Sequence, residues 1–351
     1  MHRFDYSFLA NGLLPAKLLD VTANIYSLRT AANQKKGDNE KAFLALESVA
    51  KVQSVKSSNA IEGIVTSDSR IEAIVRHGSA PLNHDEAEIA GYRDALNQVH
   101  TDFKRLSFGE SDIVFLHEIM MTLSGDELAG QYKQSDNVIL EIDEMGNRKV
   151  RFRPVAASET KFAMEQLELA YLDASSNSNI NQLLLIPCVI LDFLCIHPFR
   201  DGNGRISRLL TLLLLYKNGF DAGKYISFEE QINKYKDNYY NALQQSSLGW
   251  DTIQNDYFPF MQNFLQMLHL CYYELDKRFN VVSGKKFNKD ARIEVAVLGS
   301  LKPISKAEIC KMYPDISQTT VEAVLGRMVK NGQIEKVGAS RSTRYIRKNR
   351  S

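Results

Sequence analysis

The sequence predicts a mainly α-helical protein with one β-hairpin and a small basic α+β module at its C-terminal end. Three observations carry this. Apolar residues recur at helical spacing over most of the chain. One segment, "NVILEIDEMGNRKVRFRPV", instead holds two β-rich runs around a turn sequence. The charge also changes sign late in the chain. Residues 283–351 contain 15 Lys plus Arg and 6 Asp plus Glu, a net of +9, against −8 for the preceding 282 residues.

In chain order, helical spacing predicts helices over Pro15 to Lys35, Asn39 to Glu62, Ser67 to Arg76, His84 to Leu106 and Ser111 to Leu123. The two β-rich runs are Asn137 to Ile142 and Lys149 to Arg153, with "DEMGN" between them as the turn. An isolated hairpin must pack on helices to persist, and its edge could accept an extended peptide. Further helices are expected over Ser158 to Ala174, Asn181 to Cys195, Arg205 to Asn218, Phe228 to Gln245 and Asp251 to Phe279. The polar, basic stretch "NVVSGKKFNKD" reads as a linker. Three short helical patterns follow, with Ser305 and Ser317 as N-caps and Gly332 as a stop, and then two short strands. Helices followed by a hairpin in a basic setting suit a winged helix, which either binds DNA or serves protein contacts.

The bulk numbers narrow the function classes. With 351 residues, 44% apolar and 24% charged, the chain has the make-up of a globular protein of two or three domains. A net charge of +1 does not point to nucleic acid for the chain as a whole. Cys188, Cys195, Cys271 and Cys310 form no C-x-x-C pair, so buried free thiols in a reducing cytoplasm are expected. The N-terminus shows no signal peptide. The most apolar stretch, "LLLIPCVILDFLCI", runs 14 residues and contains Pro187 and Asp192, short of the roughly 20 that span a membrane.

Two stretches carry chemistry. In "HPFRDGNGRISR", His197 to Arg208, Pro198 keeps His197 out of the helical region, and Gly202 and Gly204 permit tight turns. A Gly-Asn-Gly loop feeding a helix N-terminus is an anion site. Asp201 is an oxygen ligand suited to Mg²⁺ beside phosphates. Arg205 and Arg208, three apart, can reach phosphate oxygens. His197 can take a proton near neutral pH. The second stretch is "SSNAIEGI", Ser57 to Ile64. Here Glu62 sits at a helix C-terminus, where the dipole disfavours a carboxylate. A solvated surface residue is the ordinary reading of such a glutamate.

"HPFRDGNGRISR" resembles the Fic family signature H-x-F-x-[DE]-G-N-G-R-x-x-R at every specified position. The resemblance extends from about Phe8 to Leu268 through "SSNAIEGI", "AGQYKQSDNVIL", "YISFEEQINKYKDNYYNAL" and "FPFMQNFL". It implies a Fic-type helical bundle with a hairpin flap, divided as an N-terminal helical region over 1–106, with an inhibitory helix around 55–64, and a catalytic core over 107–279. The tail over 285–351 resembles the winged-helix domain that some members append. The resemblance also implies a Mg²⁺-dependent protein adenylyltransferase that moves AMP from ATP to a Ser, Thr or Tyr hydroxyl. His197 would be the base, Asp201 the Mg²⁺ ligand, and Gly202, Asn203 and Gly204 the phosphate cradle. Arg205 and Arg208 would hold the β- and γ-phosphates, Phe199 would anchor the loop, and Tyr239 or Tyr240 would help form the adenine site. Ser58, Glu62 and Gly63 match the family's inhibitory motif [ST]-x-x-x-E-[GN], in which the glutamate pairs with Arg208. The implied partners are a target protein along the flap, this protein itself as a substrate, DNA through the tail, and a second copy in a homodimer, with no membrane. The alternative is a DNA-binding transcription regulator whose Fic body acts as sensor or dimerisation module.

Overall fold

The computed structural model describes residues 2–142, 148–280, 289–298, 300, 303–338 and 343–348. The helices before the hairpin are α1 (Phe8–Asn11), α2 (Ala16–Asp38), α3 (Glu40–Ile61), α4 (Asp68–His77), α5 (His84–Asp102) and α6 (Glu110–Thr122). Strands β1 (Ile139–Ile142) and β2 (Arg148–Phe152) pair antiparallel, with Leu140 opposite Val150. The predicted "DEMGN" turn lies outside the described residues. Then come α7 (Ala157–Ser176), α8 (Gln182–Ile196), α9 (Asn203–Lys217), α10 (Phe228–Lys234), α11 (Lys236–Ser247) and α12 (Phe258–Asn280). The tail holds α13 (Lys289–Leu298), β3 (Ile304–Ser305), α14 (Lys306–Met312), α15 (Gln318–Lys330), β4 (Ile334–Val337) and β5 (Arg344–Arg347).

The protein is mainly helical, as its apolar spacing predicts. Local chemistry explains most of the ends. Ser67, Asn83, Asn181, Ser227 and Ser317 each accept an N-terminal amide of their helix, and Ser305 forms a full capping box with Glu308. Two predicted helices differ from the structure. The helix expected over Phe228 to Gln245 breaks at Tyr235, and that expected from Asp251 begins only at Phe258, because Ile253 turns left-handed at φ 61°. The two-residue strand β3 went unforeseen; such a run is too short for alternation to show.

α8, apolar on every side, is the central rod of the main core. Cys188, Cys195 and Cys271 are buried free thiols inside that core, and Cys310 is a partly buried free thiol in the tail. Asp192, also on α8, is fully buried. It accepts from Tyr6, Tyr257 and the Trp250 indole, so the N-terminal segment is tied to the loop before α12. Burial pushes the Asp192 carboxyl up to about 7, although these donors pull it back. A second, separate apolar core joins α13, α14, α15 and the β3-β5-β4 sheet of the tail. Among the described residues no helix is long and apolar enough to cross a membrane.

Candidate active site

The site lies where the C-terminus of α8 meets the N-terminus of α9, under the hairpin. His197 caps α8 in a left-handed conformation, φ 52°, ψ 62°, and Pro198 follows it. Asn203 then closes the loop on itself: its side chain accepts from the Phe199 amide at 2.9 Å and donates to the Phe199 carbonyl at 2.8 Å. Phe199 is fully buried and stacks face to face on His117 of α6, with ring centroids 3.8 Å apart. Gly202 caps α9 at φ 78°; a Cβ there would meet the Met120 methyl at 2.7 Å as well as strain the backbone.

The His117 tautomer follows from its partners. The Gly130 amide can only donate, so Nδ1 accepts from it at 3.0 Å, and Nε2–H donates to the Asp201 carbonyl at 3.2 Å. The same logic applies to His197. Its Nδ1 lies 3.3 Å from the Leu194 carbonyl, which can only accept, so Nδ1 carries the proton and Nε2 keeps a free lone pair. Burial lowers the His197 imidazole to about 4, and the cation of Lys133 adds to this, while Glu62 and Asp201 act the other way. At neutral pH the ring is an uncharged base.

A cavity of about 220 Å³ opens beside it, lined by His197, Gly204, Glu62, Tyr240, Leu194, Cys195, Leu243 and Ser247, with Ile139, Arg151 and Phe152 of the hairpin. Arg151 donates to the Tyr240 carbonyl at 2.9 Å and lies over the Tyr240 ring, fixing the hairpin on α11.

The expected site residues fall into two groups. His197, Gly204, Glu62 and Tyr240 face the cavity; Arg205, Arg208, Asn203 and Tyr239 do not line it. Tyr239 is buried, edge-on behind Tyr240. Arg205 is buried too, with Nη1 2.5 Å from Glu88 of α5 and Nη2 3.6 Å from Asp201. Arg208 donates from Nε to the Ser58 hydroxyl at 2.9 Å, and from Nη2 to the Ser58 carbonyl at 2.9 Å and to Glu62 at 2.8 Å. Burial works against its charge, but Glu62, Tyr92 and Tyr239 more than offset that and hold its proton above the ordinary range. Glu62 is therefore no freely solvated surface residue. It stands between the cavity and the buried guanidinium.

Glu62 caps α3, and Gly63 turns left-handed after it at φ 84°. Lys236 of α11 donates to the Ile61 carbonyl at 2.7 Å, supplying the positive charge that the α3 terminus itself lacks. Higher on α3, Ser54 bonds with Ser227 and with the fully buried Glu229, which also accepts from Tyr92. The supporting residues Lys133, Glu88, His117, Lys236 and Glu229 escaped the sequence reading. Each meets the site from a distant segment, so spacing gives no signal for it.

Asp201 suits a divalent cation. Its side chain is 67% exposed, Oδ1 accepts from the Gly202 amide, and the described residues hold no cluster of three or more metal-ligating groups. Mg²⁺ commonly takes one or two carboxylates and draws the rest of its shell from phosphates and water.

Residues 106–215 match the family described as Fic/DOC family. "Protein adenylyltransferase Fic" of Nematostella vectensis is 27% identical over 209 residues, which cover 56% of this chain and 43% of that protein, so the match spans less than half the length of that relative. A Fido domain-containing protein of Dictyostelium discoideum is 29% identical over 140 residues, 39% of this chain and 96% of that one. Among solved structures, a Fic family protein from Desulfovibrio desulfuricans aligns with a TM-score of 0.60 at 20% identity, over 97% of this chain and 98% of that one. A Fic domain containing signaling protein from Bacteroides thetaiotaomicron aligns with a TM-score of 0.62 at 21% identity, over 76% and 99%. These two likenesses show a shared fold.

Proposed function

The chain belongs to the Fic/DOC family, and from that premise we propose that it is a protein adenylyltransferase held at a low basal rate by its own helix α3. One observation carries the reading: the Nε2 lone pair of His197 is free at a cavity that also meets the start of α9, where amides and the helix dipole favour phosphate. The oxygen of a Ser, Thr or Tyr hydroxyl forms a bond to the α-phosphorus of ATP. The bond from that phosphorus to the bridging oxygen breaks, pyrophosphate leaves with the electron pair, and the hydroxyl proton passes to His197 Nε2. Amides at Gly202 to Gly204 cradle the phosphates, and Arg208 takes the γ-phosphate once Glu62 withdraws. Arg205, held between Glu88 and Asp201, supports the phosphate end from beneath. Tyr240, on the cavity wall, contacts the adenine, with Tyr239 packed behind it. Asp201 would hold Mg²⁺, which would neutralise phosphate charge there. The target segment lies along the hairpin, whose Leu140 and Val150 point to solvent.

Radiolabelled ATP incubated with the purified protein and a lysate tests this. Label should enter protein with the wild type. It should rise about one to two orders of magnitude with Glu62→Gly, because a charge-assisted pair of ~1.5–3 kcal/mol is released. It should vanish with His197→Ala, and Arg208→Ala combined with Glu62→Gly should show no gain. A Glu62→Gly rate no higher than the native one ends the self-inhibition reading, and label surviving His197→Ala ends the base assignment.

The tail supports a second reading, DNA binding, because its element order and β3-β5-β4 pairing suit a winged helix on a segment of net charge +9. Fluorescence anisotropy with duplex DNA tests it, and binding there should weaken steeply with salt.

A further inference from the structure

The left-handed backbone at His197 is a conformation that a non-glycine residue keeps only when its surroundings over-determine it. The surroundings can be named. The Ile196 carbonyl belongs to the peptide unit that enters His197, and the Pro198 carbonyl to the unit that leaves the His197–Pro198 pair. Both are held by one residue, which lies in the segment leading to the hairpin: Lys133 donates from Nζ to the Ile196 carbonyl at 3.2 Å and from its own amide to the Pro198 carbonyl at 2.9 Å. Nζ also reaches Asn137 Oδ1 at 3.0 Å, and Asn137 in turn reaches the Phe199 carbonyl. α8 has no basic residue in its last turn, so Lys133 supplies from outside the cation that its buried carbonyl end calls for.

We propose that Lys133 is a positioning residue for the transfer reaction, clamping the peptide unit that enters His197 and the one that leaves Pro198 so that the His197 Nε2 faces the cavity with its lone pair free. The ammonium adds an electrostatic part. The charged groups acting on the His197 ring are Lys133, Glu62 and Asp201, and Lys133 is the cation among them. Burial lowers the Lys133 ammonium to about 8, with Asp136 opposing, so the clamp is charged at neutral pH and loses its charge as pH rises through about 8.

The rate measurements rest on the adenylyltransferase reading; the ring titration does not. The variants are Lys133→Met and Lys133→Arg in the full chain. The readouts are AMP transfer against pH, ATP affinity by calorimetry, and the titration of the His197 ring by NMR. With Lys133→Met, transfer should fall on the order of 10- to 100-fold, the scale of a misplaced reacting group, while ATP affinity stays unchanged. The His197 ring should then titrate at higher pH, since a neighbouring cation is gone. Lys133→Arg should restore the rate and abolish the wild-type decline above about pH 8. That arm keeps the proposal testable even if the methionine variant folds poorly. Native transfer by Lys133→Met overturns the proposal. So does slow transfer with His197 titrating as in the wild type, which would mark a merely structural lysine. If no form of the protein transfers AMP, the functional reading fails, and the shift of the His197 titration still decides whether Lys133 acts on that ring.

Discussion

At His197 the structure fixes a tautomer, and the tautomer predicts a pH profile. Nδ1–H is committed to the Leu194 carbonyl, so only Nε2 can take a proton, and burial places that event at about 4 instead of near 6.5. A base with a lowered pKa works while it is unprotonated, so activity is lost as pH falls through that lower value. Transfer should stay level from pH 7 down through 6 and drop only as pH approaches 4, within the range where the protein remains folded. A half-drop near pH 6.5 would mean that the ring is solvated. The residues of this site were legible in the sequence to an uneven degree. His197, Asp201, Gly202 and Arg208 stood out because a proton acceptor, a carboxylate, glycines and arginines converge within twelve positions. Lys133, Glu88 and His117 did not, because a lysine, a glutamate and a histidine in ordinary helical or loop settings look the same whether or not they reach the loop. The structure also divides the two motif arginines in a way spacing could not. Three residues apart puts them near one helix face, yet Arg205 turns to Glu88 on α5 and Arg208 to Ser58 on α3.

Helix α3 is held on the body at two levels. The lower one is the Arg208 contact with Ser58 and Glu62; the upper one is Ser54 against Ser227 and Glu229. If release of this helix activates the protein, loosening the upper contact should also favour transfer without touching the cavity. Ser54→Ala removes a hydroxyl donor from a buried carboxylate, at a cost of about 1–3 kcal/mol. Glu229 keeps Tyr92 and Ser227 as donors, so the body should stay folded. Ser54→Ala should therefore raise transfer several-fold when Glu62 is present and add little to Glu62→Gly, because both act on the same equilibrium. The measurement is the four-corner comparison of initial rates; equal gains in both backgrounds would show that Ser54 acts elsewhere. At this scale the sequence was a good guide to which elements exist and a weaker one to where they stop. A serine or asparagine beside an apolar run marks a helix start, as at Ser67 and Asn83. The break at Tyr235 carries no glycine or proline, so the pattern runs straight across it.

Across the whole molecule, two apolar cores match the two signs of charge along the chain. The main core ends with Phe279, which stacks on Phe43 of α3 with centroids 4.6 Å apart. The tail has its own core around Ile309, Leu325 and Met328, with capped helices and a three-stranded sheet. Many of its charges are spent internally: Arg292 with Asp315, Lys306 with Glu322, Arg327 with Asp290 and Arg344 with Glu308. Exposed ion pairs of this kind add little stability, so the apolar cluster is what would hold the tail together on its own. A chain cut after Asn280 keeps Phe279 and every element that touches the cavity. It should fold cooperatively and retain nucleotidyl transfer on itself or on a generic protein substrate. α13 packs along α3 in the intact chain, so removing the tail also unloads the helix that carries Glu62. The expected change in transfer is therefore none or a modest rise, never a loss. Circular dichroism together with labelled-ATP transfer by the shortened chain decides the matter. A folded but inactive body would show that the catalytic unit includes the tail and that the division near residue 280 is wrong.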